Sequence, residues 1–162
     1  KEKIKLKVAE VDLGTLLREC VSIILTQRHL DESVIRFTEP TEPTVVMGDE
    51  AELRTAFVNL LENAVKYSRD EPKISIRLKK AKNNRSVEIF IKDNGVGIQS
   101  SELKRIFKRF YRVVEPTSAD TRGTGLGLFI VKSIIERHGG RVSAQSRGDG
   151  LGSTFLVKLP IT

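Results

Sequence analysis

The chain has 162 residues, 39% of them hydrophobic and 30% charged, with a formal net charge of +7. This fits one globular domain that buries about two-thirds of its unfolded surface, and no apolar run approaches the ~20 residues of a membrane span. A basic excess admits nucleic acid, an anionic membrane or a phosphorylated ligand. Here, however, Lys and Arg are dispersed, and with two Tyr and no Trp there is no aromatic-interleaved basic stripe, which argues against nucleic acid.

The chain begins KEKIKLKV, a start expected of a segment within a longer protein. Ile4, Leu6 and Val8 alternate with Lys, so Lys1 to Val8 is expected to form an edge strand or a link. Asp12 is placed to cap a helix from Leu13 to about Arg28, whose apolar positions follow the 3.6-residue repeat. Cys20 lies on that apolar face and reads as a core thiol; a lone cysteine forms no internal disulfide and fits a reducing compartment. His29 reads as a helix-end residue. Val34 to Thr38 and Val45 to Met47 read as strands separated by the turn-forming EPTEPT.

The central stretch is ELRTAFVNLLENAVKY, Glu52 to Tyr67. It has no Gly or Pro and opens with Asp49 three residues before Glu52, a capping-box-like start. At ~100° per residue, Leu53, Phe57, Leu60, Leu61 and Ala64 share one arc. Asn59, Asn63 and Lys66 share the opposite one. Two amides a turn apart are unusual on a merely solvated face. An amide oxygen suits a hard cation, and the amine suits phosphate.

Next come two alternating segments, Lys73 to Lys80 and Ser86 to Lys92, which predict a hairpin. Ser100 or Ser101 is expected to cap a helix reaching about Arg112. Val113 to Arg122 is polar, with Pro116, and reads as a mobile segment. Gly127 to Arg137 is amphipathic and ends at His138-Gly139-Gly140, where the imidazole should sit near helix carbonyls. Arg141 to Arg147 and Ser153 to Leu159 are the last strands, joined by what reads as a plain glycine hairpin turn, Gly148 to Gly152. The pattern argues for an α+β two-layer sandwich.

Two glycine clusters carry further chemistry. Asp93-Asn94-Gly95-Val96-Gly97-Ile98 follows a strand: its carboxylate can accept from an exocyclic amine, with the glycines clearing Cβ atoms from a flat ring. Gly123-Thr124-Gly125-Leu126-Gly127-Leu128 opens a helix, whose free N–H groups suit phosphate oxygens. Neither is a Walker A loop or the GxGxxG fingerprint.

Taken in order, NLLENAVKYS, DNGVGI, FKRFYR and GTGLGL resemble the N, G1, F and G2 boxes of the catalytic and ATP-binding domain of sensor histidine kinases. This domain belongs to the superfamily shared with DNA gyrase, MutL and the heat-shock ATPase chaperones. The resemblance covers about Val11 to Pro160. It implies a Bergerat-type fold, a mixed and largely antiparallel sheet backed by about three helices, with ATP on the helix side under a lid. It implies that residues 1–10 link to an upstream dimerisation and phosphoacceptor domain, and that 11–162 form the ATP-binding domain. By the same resemblance, Asn63 would ligate Mg²⁺, Asn59 would line that site, Lys66 would contact the phosphates and Tyr67 would lie near the nucleotide. Asp93 would bind the adenine amine, with Gly95, Gly97 and Ile98 shaping the pocket. Phe107, Phe110 and Tyr111 would anchor the lid, Gly125 and Gly127 would give it a phosphate-binding hinge, and Gly123, Thr124, Leu126 and Leu128 would bind ATP beside them. Two positions depart from the family. Lys108 stands where an acidic residue is common, with an expected effect on partner docking. Arg122 stands where a glycine often precedes the G2 box and either reaches a phosphate or stiffens the lid.

The gyrase-like branch places a Glu base four residues before the metal Asn. That position here is Asn59, and an amide takes no proton from water at neutral pH. Phosphoryl transfer to another group is therefore favoured over attack by water, and the resemblance implies that this group is a histidine on a separate domain, which passes the phosphoryl group to a response regulator. A gyrase-like ATPase clamp, an anti-sigma-type serine kinase and a non-enzymatic nucleotide-sensing or nucleic-acid-binding module are the alternatives. The resemblance further implies a cytoplasmic domain, monomeric alone, in a homodimeric parent that is either membrane-anchored or not.

Overall fold

The computed structural model describes residues 5–68, 71–108, 127–148 and 150–161. Within them the order is β1 (Ala9–Asp12), α1 (Leu13–Gln27), a 3-10 turn (Glu32–Val34), β2 (Ile35–Thr38), β3 (Val45–Gly48), α2 (Glu50–Lys66), β4 (Ile74–Lys80) and β5 (Ser86–Asp93), followed by α3 (Gly127–Arg137), β6 (Arg141–Ser146) and β7 (Ser153–Pro160). Five strands form one sheet in the order β2-β4-β5-β7-β6. Only β2 and β4 run parallel; the other neighbouring pairs are antiparallel. A separate pair, β1 and β3, is antiparallel.

Alternation along the strands makes this a two-layer structure. Ile74, Ile76 and Leu78 of β4, Val87, Ile89 and Ile91 of β5, and Phe155, Val157 and Leu159 of β7 are all buried, and the residues between them are exposed or half-buried. The buried rows meet Leu53, Phe57, Leu60, Leu61 and Ala64 of α2, together with the buried faces of α1 and α3. Opposed salt bridges fasten α1 to α2: Arg28 pairs with Glu62, and Arg54 reaches Glu19 at 2.8 Å. Cys20 is fully buried, and desolvation pushes its thiol up to about 12.

Helix starts follow their capping residues. Asp12 accepts from Gly14 N–H at 3.1 Å and opens α1, and Asp49 accepts from Glu52 N–H at 3.1 Å and opens α2. The helix α1 stops at Arg28, and His29 beyond it takes a positive φ of 53°. Two sequence expectations are corrected. Among the described residues the first strand is Ala9–Asp12, and Lys5 to Val8 form the link rather than an edge strand, because β3 pairs with Ala9 to Asp12, burying Val11 and leaving Val8 57% exposed; residues 1–4 of the expected segment lie outside the described residues. The stretch after Ser100 forms successive turns through Phe107, not a regular helix. These turns still bury Phe107, whose ring meets Phe155 edge-on at 6.0 Å.

Candidate functional site

Two helices and one strand end build the site. On α2 the apolar arc is fully buried, Asn59, Asn63 and Lys66 are half-buried on its other side, and the half-buried Tyr67 caps its C-terminal end. The Asn59 amide NH₂ donates to the Thr55 carbonyl at 2.8 Å, which leaves its Oδ1 to face outward. That oxygen lies 3.6 Å from where a Cβ would stand on Gly127, the first residue of α3. The amide stripe and the glycine-rich helix start, 68 positions apart in sequence, are therefore adjacent in space. Lys66 Nζ sits 5.6 Å from the centre of the Tyr67 ring.

The opposite ends of these helices are tied together. Arg137 at the end of α3 pairs with Glu52 at 2.7 Å. His138 accepts from Asp49 N–H through Nε2 at 3.0 Å, so the ring hydrogen lies on Nδ1 and donates to the Ile134 carbonyl at 2.8 Å. The expected contact with a helix carbonyl is present, and the same ring also bridges to the cap of α2. Asp49 accepts from Lys7 N–H and Glu52 N–H, and these bonds hold its carboxyl below the usual range.

Asp93 ends β5 with 4% of its surface exposed. Its Oδ1 accepts from Gly95 N–H at 2.8 Å and Ser153 N–H at 3.1 Å; its Oδ2 accepts from Ser153 Oγ at 2.8 Å. Oδ1 is thus fully engaged, while Oδ2 keeps one lone pair for a further donor. A buried carboxylate held by three neutral donors is oriented without being neutralised by a cation.

The glycines beside it do more than clear space for a ligand. A Cβ on Gly95 would overlap the Tyr67 carbonyl oxygen, and a Cβ on Gly97, at φ +81°, would overlap the Gly148 carbonyl. A Cβ on Gly152, at φ +73°, would overlap the Asp93 carbonyl. The loop before β7 is therefore no plain hairpin turn, as the sequence suggested, but the backing of the Asp93 loop. Gly150 N–H donates to Val96 O at 2.7 Å and Gly152 N–H to Gly95 O at 3.1 Å. Ser146 Oγ joins three strands of chain: it donates to Gly152 O at 2.8 Å and accepts from Ile98 N–H at 2.9 Å and Gly148 N–H at 3.2 Å.

Of the residues the sequence singled out, the structure brings Asn59 beside Gly127 and sets Gly95, Gly97 and Ile98 in the loop next to Asp93; Ser146, Gly148, Gly152 and Ser153, which brace that loop, were not among the expected site residues. The signal available for them was the GxGxG repeat from Gly148 to Gly152 followed at once by Ser153. Among the expected site residues, Phe110, Tyr111, Arg122, Gly123, Thr124, Gly125 and Leu126 lie outside the described residues, as does the expected lid; Leu128 is half-buried near the start of α3.

A buried carboxylate at a strand end, an amide-bearing helix face and a glycine-opened helix on one side of a mixed sheet define a nucleotide-binding α/β sandwich. Residues 48–162 match the family described as histidine kinase-, DNA gyrase B-, and HSP90-like ATPase, and the chain belongs to that family. It is 40% identical over 155 residues to the sensor-like histidine kinase SenX3 of Mycolicibacterium smegmatis, covering 93% of this chain and 38% of that protein. The solved mycobacterial sensor histidine kinase MprB is similar with a TM-score of 0.78 at 29% identity, over 94% of this chain and 96% of that one. Full-length ShkA in complex with AMPPNP is similar with a TM-score of 0.78 at 28% identity, over 98% of this chain and 32% of that one. The chain thus spans between 31% and 38% of the length of the first curated relatives it matches.

Proposed function

We propose that this chain binds Mg-ATP and donates the γ-phosphoryl group to a histidine on a separate dimerisation domain, which passes it to a response regulator. The observation that carries this reading is the α2 face beside Gly127: it presents the amides of Asn59 and Asn63, the position one turn before Asn63 holds an amide rather than a carboxylate, and Glu52, two turns before Asn59 on the same arc, is paired with Arg137. Glu62, next to Asn63, is rotated ~100° away from it and is held by Arg28. With no base to activate water, hydrolysis is slow and the phosphoryl group is kept for a positioned acceptor. Sensor histidine kinases among the relatives and structural neighbours support the same reading.

The residues divide the work by chemistry. Asp93 Oδ2 receives the adenine amine, with Gly95, Gly97 and Ile98 forming the wall that the loop before β7 braces. Lys66 and the N–H groups at the start of α3 attract phosphate oxygens. The residues fit a magnesium ion held mainly by the nucleotide: among the described residues no cluster of three or more acidic, His or Cys side chains exists, and the neutral Asn63 amide supplies one oxygen ligand without adding charge. Bound there, the ion offsets phosphate charge, while Asn59 Oδ1 lines the same face. His29 is exposed at the end of α1, and His138 is locked between Ile134 and Asp49, so the phosphoacceptor is supplied from outside this chain. The parent acts as a homodimer, with this domain monomeric and cytoplasmic.

The test is transfer of label from ATP. The chain alone gives no acid-labile phosphate; adding a helical domain that carries a phosphoacceptor histidine places the label on that domain. Steady ATP turnover by the chain alone, or label on a serine of a small regulator, would instead establish the clamp-ATPase or serine-kinase reading.

A further inference from the structure

The helices cover one face of the five-strand sheet, and the open face holds most of the chain's net charge. Its cations are Arg36 of β2, Arg77 and Lys79 of β4, Lys92 of β5, Lys158 of β7 and Arg141 of β6; its one carboxylate is Glu88. With six of the 28 Lys and Arg and one of the 21 Asp and Glu, this face accounts for +5 of the +7. Glu88 is already engaged, 3.9 Å from Lys79 and 3.5 Å from Lys158. Among the described residues, Arg36, Arg77, Lys92 and Arg141 form no ion pair.

Strand register sorts these side chains into rows. In the middle row Phe90 stands between Arg77 and Leu156, and Phe90 and Leu156 are half-buried, giving a short apolar stripe flush with the surface. On one side of it runs the row Lys79, Glu88, Lys158, Arg141; on the other lie Arg36 and Lys92, with Ser75 between them. The two flanking rows are four residues apart along β5, about 13 Å at ~3.3 Å per residue. An α-helix with its side chains is about 10–12 Å across.

We propose that this face docks an acidic amphipathic α-helix of a partner protein, lying across the strands. Its narrow apolar stripe would meet Phe90 and Leu156, and carboxylates on its two flanks would meet the two cationic rows. The charge and the spacing favour this occupant over other polyanions. A nucleic acid would want open aromatic faces for stacking, whereas Phe90 is half-buried with Lys79 Nζ 5.3 Å from its ring centre. A bilayer would want protruding apolar side chains, and this stripe is flush. The proposal is independent of the nucleotide assignment, because the face lies on the far side of the sheet from the helices.

The probe is a labelled helical peptide of about 18 residues, about five turns, with a Leu stripe flanked on both sides by Glu. The control carries the same stripe flanked by Lys. Fluorescence anisotropy should show the acidic peptide binding and the basic one not binding, with affinity falling as salt rises from about 0.05 to about 0.5 M. The double variant Arg77→Gln/Lys92→Gln should weaken binding about tenfold with unfolding midpoint and ATP affinity unchanged, and Phe90→Ser should weaken it as well, with a lower unfolding midpoint but unchanged ATP affinity. Equal binding of both peptides, undiminished binding by the double variant, or no peptide binding alongside binding of phosphatidylglycerol vesicles or duplex DNA would overturn the proposal.

Discussion

Replacing Asp93 by Asn separates the folding role of this side chain from its proposed ligand role. Asn is the same shape, so the three protein contacts can be followed one at a time. Its oxygen must take the place of Oδ1, since Gly95 N–H and Ser153 N–H both point there. Its NH₂ then takes the place of Oδ2, and the Ser153 hydroxyl, a donor in the parent, turns to accept. All three bonds survive but lose their ionic character, a difference of about 1 kcal/mol each. Part of this is offset because a buried charge no longer has to be desolvated. The net loss of stability should be about 1–2 kcal/mol, so the chain remains folded. The ligand fares worse, because the NH₂ now confronts the adenine amine, donor against donor. A lost charge-assisted bond together with an unpaired donor comes to about 3–5 kcal/mol, and ATP affinity should fall by two orders of magnitude or more. Inosine triphosphate, with an oxygen in place of that amine, meets a donor in the variant and an unsuited carboxylate in the parent. Calorimetric titration with both nucleotides, alongside thermal unfolding, therefore reads a change in preference as well as a loss. Unchanged ATP affinity would refute the assignment of Asp93. An equal loss for both nucleotides would show that the variant merely loosens the pocket.

Asn63→Ala should remove most of the enhancement that Mg²⁺ gives to ATP binding, while leaving Mg²⁺-free binding nearly intact; titrations with and without the ion check this, and a surviving enhancement would exclude Asn63 as the ligand. Ser146→Ala leaves the N–H groups of Ile98 and Gly148 short of an acceptor and should lower stability by about 1–3 kcal/mol in denaturant melts. Nucleotide affinity should fall along with it, and Ser146→Thr should restore both. Asp49→Ala should lower the melting temperature at neutral pH, since Asp49 caps α2 and holds Lys7. The folded-state pKa of Asp49 is depressed, so its contribution is present above the ordinary carboxylate range near ~3.9 and is lost as pH falls through the lower folded value. Parent and variant melting temperatures should therefore converge in strong acid, and a constant gap down to that pH would contradict the assignment.

What the sequence made legible was whatever lies within one element. The apolar arc of α2, its Asp49 cap and its opposing amides all follow from a 3.6-residue period, and the structure places them as that period requires. The alternation in β4 and β5 gave both the hairpin and its buried face. Where a pattern was present without a partner to pair with, the reading failed: among the described residues Leu6 and Val8 have no opposing strand, because β3 is fully matched by Ala9 to Asp12. The turns after Ser100 show the same limit: a capping serine is a local signal, and it does not by itself make the residues that follow close a continuous helical ladder.

The contacts that shape the site were hidden for a related reason. Asp93 with Ser153, and Gly97 with Gly148, join segments about fifty to sixty residues apart, and no local period records such a meeting. Glycine was visible at these places, but Gly95 and Gly97 were assigned to the ligand and Gly148 and Gly152 to a plain hairpin turn. The overlaps found at Gly95, Gly97 and Gly152 show that each is required first by the protein's own backbone. A Cβ at any of them strikes a carbonyl oxygen whether or not a nucleotide is present, and at Gly97 and Gly152 the positive φ adds strain. The two glycine loops therefore form one unit, the loop before β7 closing on the loop after β5 through Ser146 and fixing Asp93 from behind. Preorganised in this way, the carboxylate can receive a ligand donor on Oδ2 without paying conformational entropy at the moment of binding.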